Sequence, residues 1–263
     1  GKAVRLFDEM GDVPTFAPFF VNRALFLHSV RGDDPEPDLR RAVELEPDNR
    51  IYHIHLIQHL QAEGEWAASL AVVNEAQGQT ENEFNLDLLW AKALINLGRG
   101  SEAAEILAAT HVLPSEGARE SHQLWVQAHS LAALDAYGAR DFQLAREHLM
   151  QALEWPESLG QGKPYEPEER LIRFVLGRVE DRLGNQEASE EAFQAYLDAT
   201  GEVAPPIRRL DLLAVSALEA LGKHTEATAL QGRVLSESQT MRRALQEDLG
   251  GRLIQRALDL GLD

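Results

Sequence analysis

Three groups of side chains have the types and spacing for chemistry. His53, His55 and His59 fall close together, and the four-residue step from His55 to His59 would turn both imidazoles to one helix face, where they could share a metal ion. A metallohydrolase helix of that kind needs Glu directly after its first His. Leu56 stands there, so packing or groove lining is the favoured reading and no metal ligand is assigned. His122 and His129 are seven apart, again on one helical face, with Glu116 and Arg119 a turn or two earlier. A buried hydrogen-bonded pair is the favoured reading there. The third group, Glu166, Glu168 and Glu169 beside Lys163 and Tyr165, has the makings of an acid/base set, but carboxylates this close along a loop are usually solvated. The run Leu159-Gly160-Gln161-Gly162-Lys163 lacks the Gly-x-x-x-x-Gly-Lys-Ser/Thr spacing of a phosphate loop and follows no strand. The sequence therefore assigns no catalytic residue, no metal and no cofactor, and the expected protein is not an enzyme.

Composition narrows the partners. The 263 residues carry 43 Asp and Glu against 25 Lys and Arg, a formal charge of -18. Nucleic acid and anionic membrane surfaces are met by cationic faces, so neither is an expected partner. Cysteine is absent, which excludes a disulfide framework, a zinc ribbon and a thiol nucleophile. No apolar run approaches the ~20 residues of a membrane span. The start Gly1-Lys2-Ala3, without Met, suggests a processed or excised piece; the compartment stays open, with the cytoplasm the favoured setting.

The elements that position these residues are betrayed by self-similarity. Leu97-Gly98-Arg99-Gly100-Ser101-Glu102-Ala103, Leu183-Gly184-Asn185-Gln186-Glu187-Ala188 and Leu221-Gly222-Lys223-His224-Thr225-Glu226-Ala227 each follow one apolar-periodic helix and precede another, and Gly64-Glu65-Trp66 is a fourth copy. These residues resemble the tetratricopeptide repeat, a helix-turn-helix of about 34 residues. In that register, repeats start near Phe16, Arg50, Phe84, Val126, Arg170 and Arg208. Gly64, Gly98, Gly184 and Gly222 fall just past a helix end, where a left-handed residue is cheapest as glycine, and Arg140 departs from the pattern. Ala91, Ala133, Gly177, Ser69, Ala103, Ala145, Ser189 and Ala227 are the small residues that let paired helices approach. The expected fold is all-α, a right-handed solenoid of tetratricopeptide-like hairpins forming a single domain over residues 1–263. In the first repeat, Pro35 and Pro37 predict a long first helix to about His28 or Ser29 and a second starting near Pro37. Residues 238–260 are expected to form one or two capping helices, Ser238 to Leu249 and Gly251 to Leu260.

Two insertions, residues 111–125 and 155–169, break the period. The first predicts a helix capped by Ser115, begun near Glu116 and running into repeat four, about two turns longer than the repeat requires. The second, with three Pro and two Gly, predicts a turn-rich loop. Both segments resemble the C-terminal helical-repeat region of large bacterial proteins whose N-terminal part is a β-sandwich domain of unknown function, similar to galactose mutarotases. That resemblance implies a helical module attached to a carbohydrate-related domain, and no catalytic residue in the module.

Tetratricopeptide proteins that grip chaperone C termini clamp a terminal carboxylate with Lys, Asn and Arg. The corresponding places hold Phe20, Ala24, His55, Asn85 and Leu89, so that clamp is missing. The inward positions instead nominate Phe20, Ile54, Gln58, Gln61, Leu88, Lys92, Gln127, Tyr137, Phe174 and Arg178 as a mixed apolar and polar groove. The insertions nominate Glu116, Arg119, His122, Trp125, Trp155, Lys163 and Tyr165 as a docking surface. Three readings follow: a scaffold that binds a protein or peptide segment in the groove of repeats one to four, an intramolecular brace for an adjacent domain of the parent chain, and an enzyme built at the insertions.

Overall fold

The computed structural model describes residues 1–11, 14–76, 84–114, 119–203 and 207–260, with nothing stated of the side chains at 119 and 235–244. Every regular element among the described residues is helical. The chain forms two compact units, Gly1–Leu97 and Gly98–Asp263, where the repeat count suggests one continuous array.

In the first unit α1 (Lys2–Met10) precedes the hairpins α2 (Ala17–Arg31) with α3 (Glu36–Leu45), and α4 (Arg50–Ala62) with α5 (Trp66–Ala76), followed by α6 (Phe84–Asn96). Helix α2 runs about one turn beyond the expected end, until Gly32 closes it in the left-handed conformation. Helix α3 starts within a residue of the expected Pro37, with Pro35 at its N-cap. The core gathers Phe19, Phe20, Leu39, Leu56, Ile57 and Val73 from successive helices.

The second unit runs α7 (Gly100–Ala109), α8 (Arg119–Gly138), α9 (Phe142–Ala152), α10 (Arg170–Arg182), α11 (Gln186–Thr200), α12 (Ala214–Ala220), α13 (His224–Glu247) and α14 (Leu249–Asp259). Helices α8 with α9 and α10 with α11 form its tightest hairpins. Their turns are closed alike: Asp141 N–H donates to Ala136 O and Asn185 N–H to Glu180 O, both at 2.9 Å. Gly184 sits at φ 79°, and Arg140, in the matching place of the first turn, keeps the left-handed φ at 61° although it is not glycine.

The sixth repeat departs from its pattern. Its first helix is broken into a 3₁₀ turn, Arg209–Leu213, and the short α12. Asp211 lies at the break: buried, it accepts from the Arg208 backbone N–H at 2.9 Å and from Arg170 Nη1 at 3.3 Å. The repeat's second helix does not stop before a separate capping helix at Ser238. It continues as α13 to Glu247, since no Gly or Pro interrupts residues 233–247. Helix α14 then turns back and packs against α13, the 3₁₀ turn, α8 and α10.

Candidate functional site

The insertions fasten each other inside the second unit. Helix α8 begins about two turns before Val126, as the first insertion predicts, while Ser115 and Glu116 lie outside the described residues. The second insertion is non-helical apart from a 3₁₀ turn at Glu157–Leu159. Val112 N–H donates to Ser158 O at 2.7 Å, and the Ser121 hydroxyl donates to Leu159 O at 2.7 Å. Gly160 is required where these strands of chain touch: its φ is +69°, and a Cβ there would stand 2.7 Å from Val112 O. The His122 ring lies flat on Trp155, and Trp125 Nε1–H donates to Gln151 O at 2.8 Å.

These contacts engage several of the residues nominated for docking. Trp125 is 4% exposed and His122 is buried, both being used to hold the insertions down, and Trp155 is half-buried under the stack. Lys163 is exposed and paired with Glu169 at 2.8 Å. Tyr165 projects fully, at 99% exposure. Glu116 and the Arg119 side chain lie outside the described residues.

The titratable groups are likewise engaged locally. Burial would raise the Glu168 carboxyl, but hydrogen bonds from Arg170 outweigh it and hold it below the usual range. Glu169 is held low in the same way by Lys163 and Arg173. His129 and His148 meet Nδ1 to Nδ1 at 3.1 Å. Burial, aided by the neighbouring His148, pushes His129 down to about 4, so both rings stay neutral near neutral pH. The expected polar pairing of His129 is with His148 and not with His122, which bonds Glu154 O through Nε2 at 3.2 Å. The cavity that His122 lines includes neither His129 nor Glu166 among its lining residues, whereas the enzyme reading calls for one that joins the three.

The groove residues divide. Phe20 and Phe174 are 1% and 0% exposed, and Tyr137 is buried with its hydroxyl accepting from Arg182 Nε at 3.1 Å. They are core, because the periodicity that turns a residue inward does not separate a groove wall from a helix interface. Gln61 is also buried, donating to Leu89 O at 2.8 Å and the Ser69 hydroxyl at 3.1 Å, a fastener among α4, α5 and α6. Arg178 spreads over the Phe174 and Phe193 rings at 5.5 Å from each centroid. Ile54, Leu88 and Lys92 are half-buried and Gln58 exposed, all in the first unit. In that unit His53 is buried, and His59 faces Asp34 at 3.5 Å rather than His55. Asp34, Glu36 and His59 could bring three ligand atoms within 4.8 Å of one another, yet Asp34 accepts from the Glu36 backbone N–H at 3.0 Å and Glu36 pairs with Arg40. The first unit also exposes Leu6, Phe16, Leu25, Phe26 and Val30 on or beside α1 and α2.

Gln127 alone of the ten groove residues lines a cavity of about 460 Å³ in the second unit, between α8, α10, the 3₁₀ turn and α14; a larger space of about 600 Å³ in the same unit is lined from α11, α12 and α13. Val126, Leu171, Ile172, Leu210, Leu253 and Ile254 form the apolar walls of the first, and His122 and Trp155 close one end. Ser130 is among its lining residues; it is 3% exposed, and its hydroxyl is buried with no hydrogen-bond partner in the protein. The sequence signal for Ser130 was faint: a hydroxyl in the apolar run Leu131-Ala132-Ala133-Leu134 that follows His129. Leu253 and Ile254 fall in the expected cap, and nothing in their spacing says that α14 returns to α8.

No protein-family model matches the sequence, and no curated protein matches it. Among solved structures the fold is similar to that of YrrB, described as a TPR protein with an unusual peptide-binding site, at a TM-score of 0.52 and 15% identity over 81% of this chain and 96% of that one. Cut9, in the APC/C hetero-tetramer Cut9–Hcn1, aligns at a TM-score of 0.45 and 16% identity over 97% of this chain and 46% of its own. Human IFIT1, solved as a dimer with m7Gppp-AAAA, aligns at 0.35 and 20% identity over 100% and 68%. The class is therefore an all-α solenoid of tetratricopeptide-like helix hairpins. No described helix is long and apolar enough to cross a membrane.

Proposed function

We propose that the chain is a non-enzymatic protein-interaction module, and that its working surface is the α8–α10 face of the second unit, on the first helices of repeats four and five, rather than the groove of repeats one to three. One observation carries this reading. That face already seats an amphipathic helix of the chain itself, α14, through buried Leu253, Ile254 and Ala257, and leaves an open cavity beside it. A surface that pairs apolar walls with a few placed polar groups suits a protein segment. The likeness of fold to YrrB, described as a TPR protein with an unusual peptide-binding site, agrees with it. The non-enzymatic part rests on the shifted groups being tied to local partners, Glu168 to Arg170 and His129 to His148, instead of converging on one space.

The test is selection from a displayed random-peptide library on the immobilised full chain. Enriched peptides should lose binding to Leu171→Glu, which places a charge in the cavity wall, while circular dichroism shows the fold kept. A selection that yields no peptide, or only peptides indifferent to that substitution, would overturn the assignment.

A second reading, the brace for an adjacent domain of a parent chain, draws on the exposed Leu25, Phe26 and Val30 of α2. It predicts that Leu25→Asp with Val30→Asp leaves this chain's stability within about 0.5 kcal/mol, as surface changes do, but weakens association with the neighbouring domain. Unchanged association would remove it.

A further inference from the structure

We propose that the first unit carries a zinc-type divalent metal site made by His59, Asp34 and Glu36. The three come from separate elements: His59 from the last turn of α4, Asp34 from the loop between α2 and α3, and Glu36 from the first position of α3. Their ligand atoms lie within 4.8 Å of one another. An ion held there ties the loop and the start of α3 to α4.

The spacing of His59 and Asp34 carries the proposal. His59 Nε2 stands 3.5 Å from Asp34 Oδ1, beyond the roughly 2.7–3.2 Å of a good hydrogen bond. Two ligands at zinc distances are about 3.4 Å apart across a tetrahedral ion. The pair is thus spaced for a shared ion rather than for a direct bond. The His59 side chain is only 12% exposed, and among the described residues no hydrogen bond satisfies its ring. Polar groups so nearly buried are mostly satisfied, which makes this ring an exception that calls for a partner.

The carboxylates are placed to complete the set. Asp34 lines a cavity of about 300 Å³ together with Asp8, Asp33 and Asp38. Arg31 pairs with Asp8 and Asp33, and Arg23 with Asp38, whereas Asp34 is matched to no arginine and faces His59. The Glu36 backbone N–H donates to Asp34 Oδ1 at 3.0 Å. That bond leaves lone pairs for an ion and fixes the carboxylate as outer-sphere partners fix metal ligands. Arg40 engages Glu36 through Oε1 in a largely exposed pair of the kind that contributes little, so Oε2 remains for the ion.

The donor set selects the metal. One imidazole nitrogen with two carboxylate oxygens suits zinc and its first-row neighbours, whereas calcium takes six to eight oxygen ligands. Three protein ligands leave a fourth position for water. The partner of His59 is therefore not His55, the residue that helix spacing alone selects.

The test is calorimetric titration of the full chain with zinc chloride at pH 7.5, with calcium chloride in parallel. Because the chain has nine histidines, the variants locate the site. We expect one saturable zinc site, weakened at least tenfold by His59→Gln and by Asp34→Asn, since even outer-sphere changes cost roughly ten- to hundredfold. His55→Gln should leave it unchanged. Zinc should also raise the melting temperature of the unaltered chain but not that of His59→Gln. Circular dichroism without metal checks each fold, and if His59→Gln does not fold, the exposed Asp34→Asn decides alone. No zinc binding, affinity retained in either folded ligand variant, or affinity lost in His55→Gln overturns the proposal. Calcium binding as tight as zinc overturns it too, because carboxylates alone would then account for the ion.

Discussion

The imidazole of His122 lies on the indole of Trp155 with ring centroids 3.4 Å apart and planes 13° from parallel. One residue belongs to the first insertion and the other to the second, so the stack joins two segments that the repeat itself has no need of. Flat contacts between rings of this kind contribute about 0.5–1.5 kcal/mol beyond their buried area. A double-mutant cycle with His122→Ala and Trp155→Ala should therefore give a coupling energy in that range by urea unfolding. Strict additivity of the two substitutions would mean that the stack is incidental to the junction.

The His129–His148 pair makes stability depend on mild acid. Burial and the neighbouring ring hold His129 to about 4, against an ordinary value of 6.5. As the pH falls below 6.5 the unfolded chain takes up a proton that the folded chain refuses. Stability is therefore complete above 6.5, declines from there to about 4 and levels off below. One histidine shifted this far contributes about 3 kcal/mol over the whole window. Burial depresses His148 and His122 as well, and their contributions carry the same sign. Denaturant midpoints between pH 7.5 and 4.5 should show a shallower slope for His129→Gln than for the unaltered chain; identical slopes would remove His129 as the source.

Arg140 is the one non-glycine residue at positive φ among the described residues, at 61°. It stands where Gly184 and Gly222 stand in their own turns, and the backbone hydrogen bonds of its turn leave it no other conformation. A side chain in the left-handed region costs roughly 1–2 kcal/mol. Arg140→Gly should thus stabilise the second unit by about 1 kcal/mol, and Gly184→Ala should destabilise it by a similar amount. Melting temperatures that move the other way would show that the Arg140 side chain makes a compensating contact.

Gly177 answers to a different constraint, close approach. A Cβ at this position would stand 2.8 Å from the Cδ1 and Cε1 atoms of Phe193, on the paired helix α11. Overpacking of this kind costs about 1–3 kcal/mol. Gly177→Ala should lower the denaturant midpoint, and adding Phe193→Leu should recover part of the loss by vacating the space. If the double variant is weaker than either single one, the ring is not the obstacle.

Much of this was legible in the chain, for a physical reason. The left-handed turns at Gly64 and Gly222 follow from backbone sterics that any short window carries. Contacts between distant segments leave no such mark. Phe20 and Phe174 obey the same periodicity whether they face a groove or a neighbouring helix, and only the packing decides that they are core. The Ser130 cavity needs residues from α8 and α14 that are more than a hundred positions apart, and no spacing rule connects them. The continuous α13 was hidden because sequence alone did not show where the sixth repeat ends and its cap begins.

Helix α14 brings the cavity wall into place, and its anchors differ in strength. Asp248 accepts from Gly251 N–H at 2.7 Å and from Arg209 at 2.5 Å, and Arg256 reaches Asp135 at 2.7 Å. Both ion pairs are substantially exposed, and pairs of that kind contribute about 0–1 kcal/mol. Leu253, at 3% exposure, and Ala257 are buried on the opposite face of the account: truncating a buried leucine costs about 2–5 kcal/mol. The apolar face and not the ionic ends should therefore hold the helix down. Hydrogen exchange of residues 249–259 is expected to accelerate at least thirtyfold in Leu253→Ala and less than about fivefold in Arg256→Glu, in proportion to those energies. Equal acceleration by the two substitutions would transfer the anchoring role to the Arg256–Asp135 pair, and salt would then be expected to loosen the helix as well.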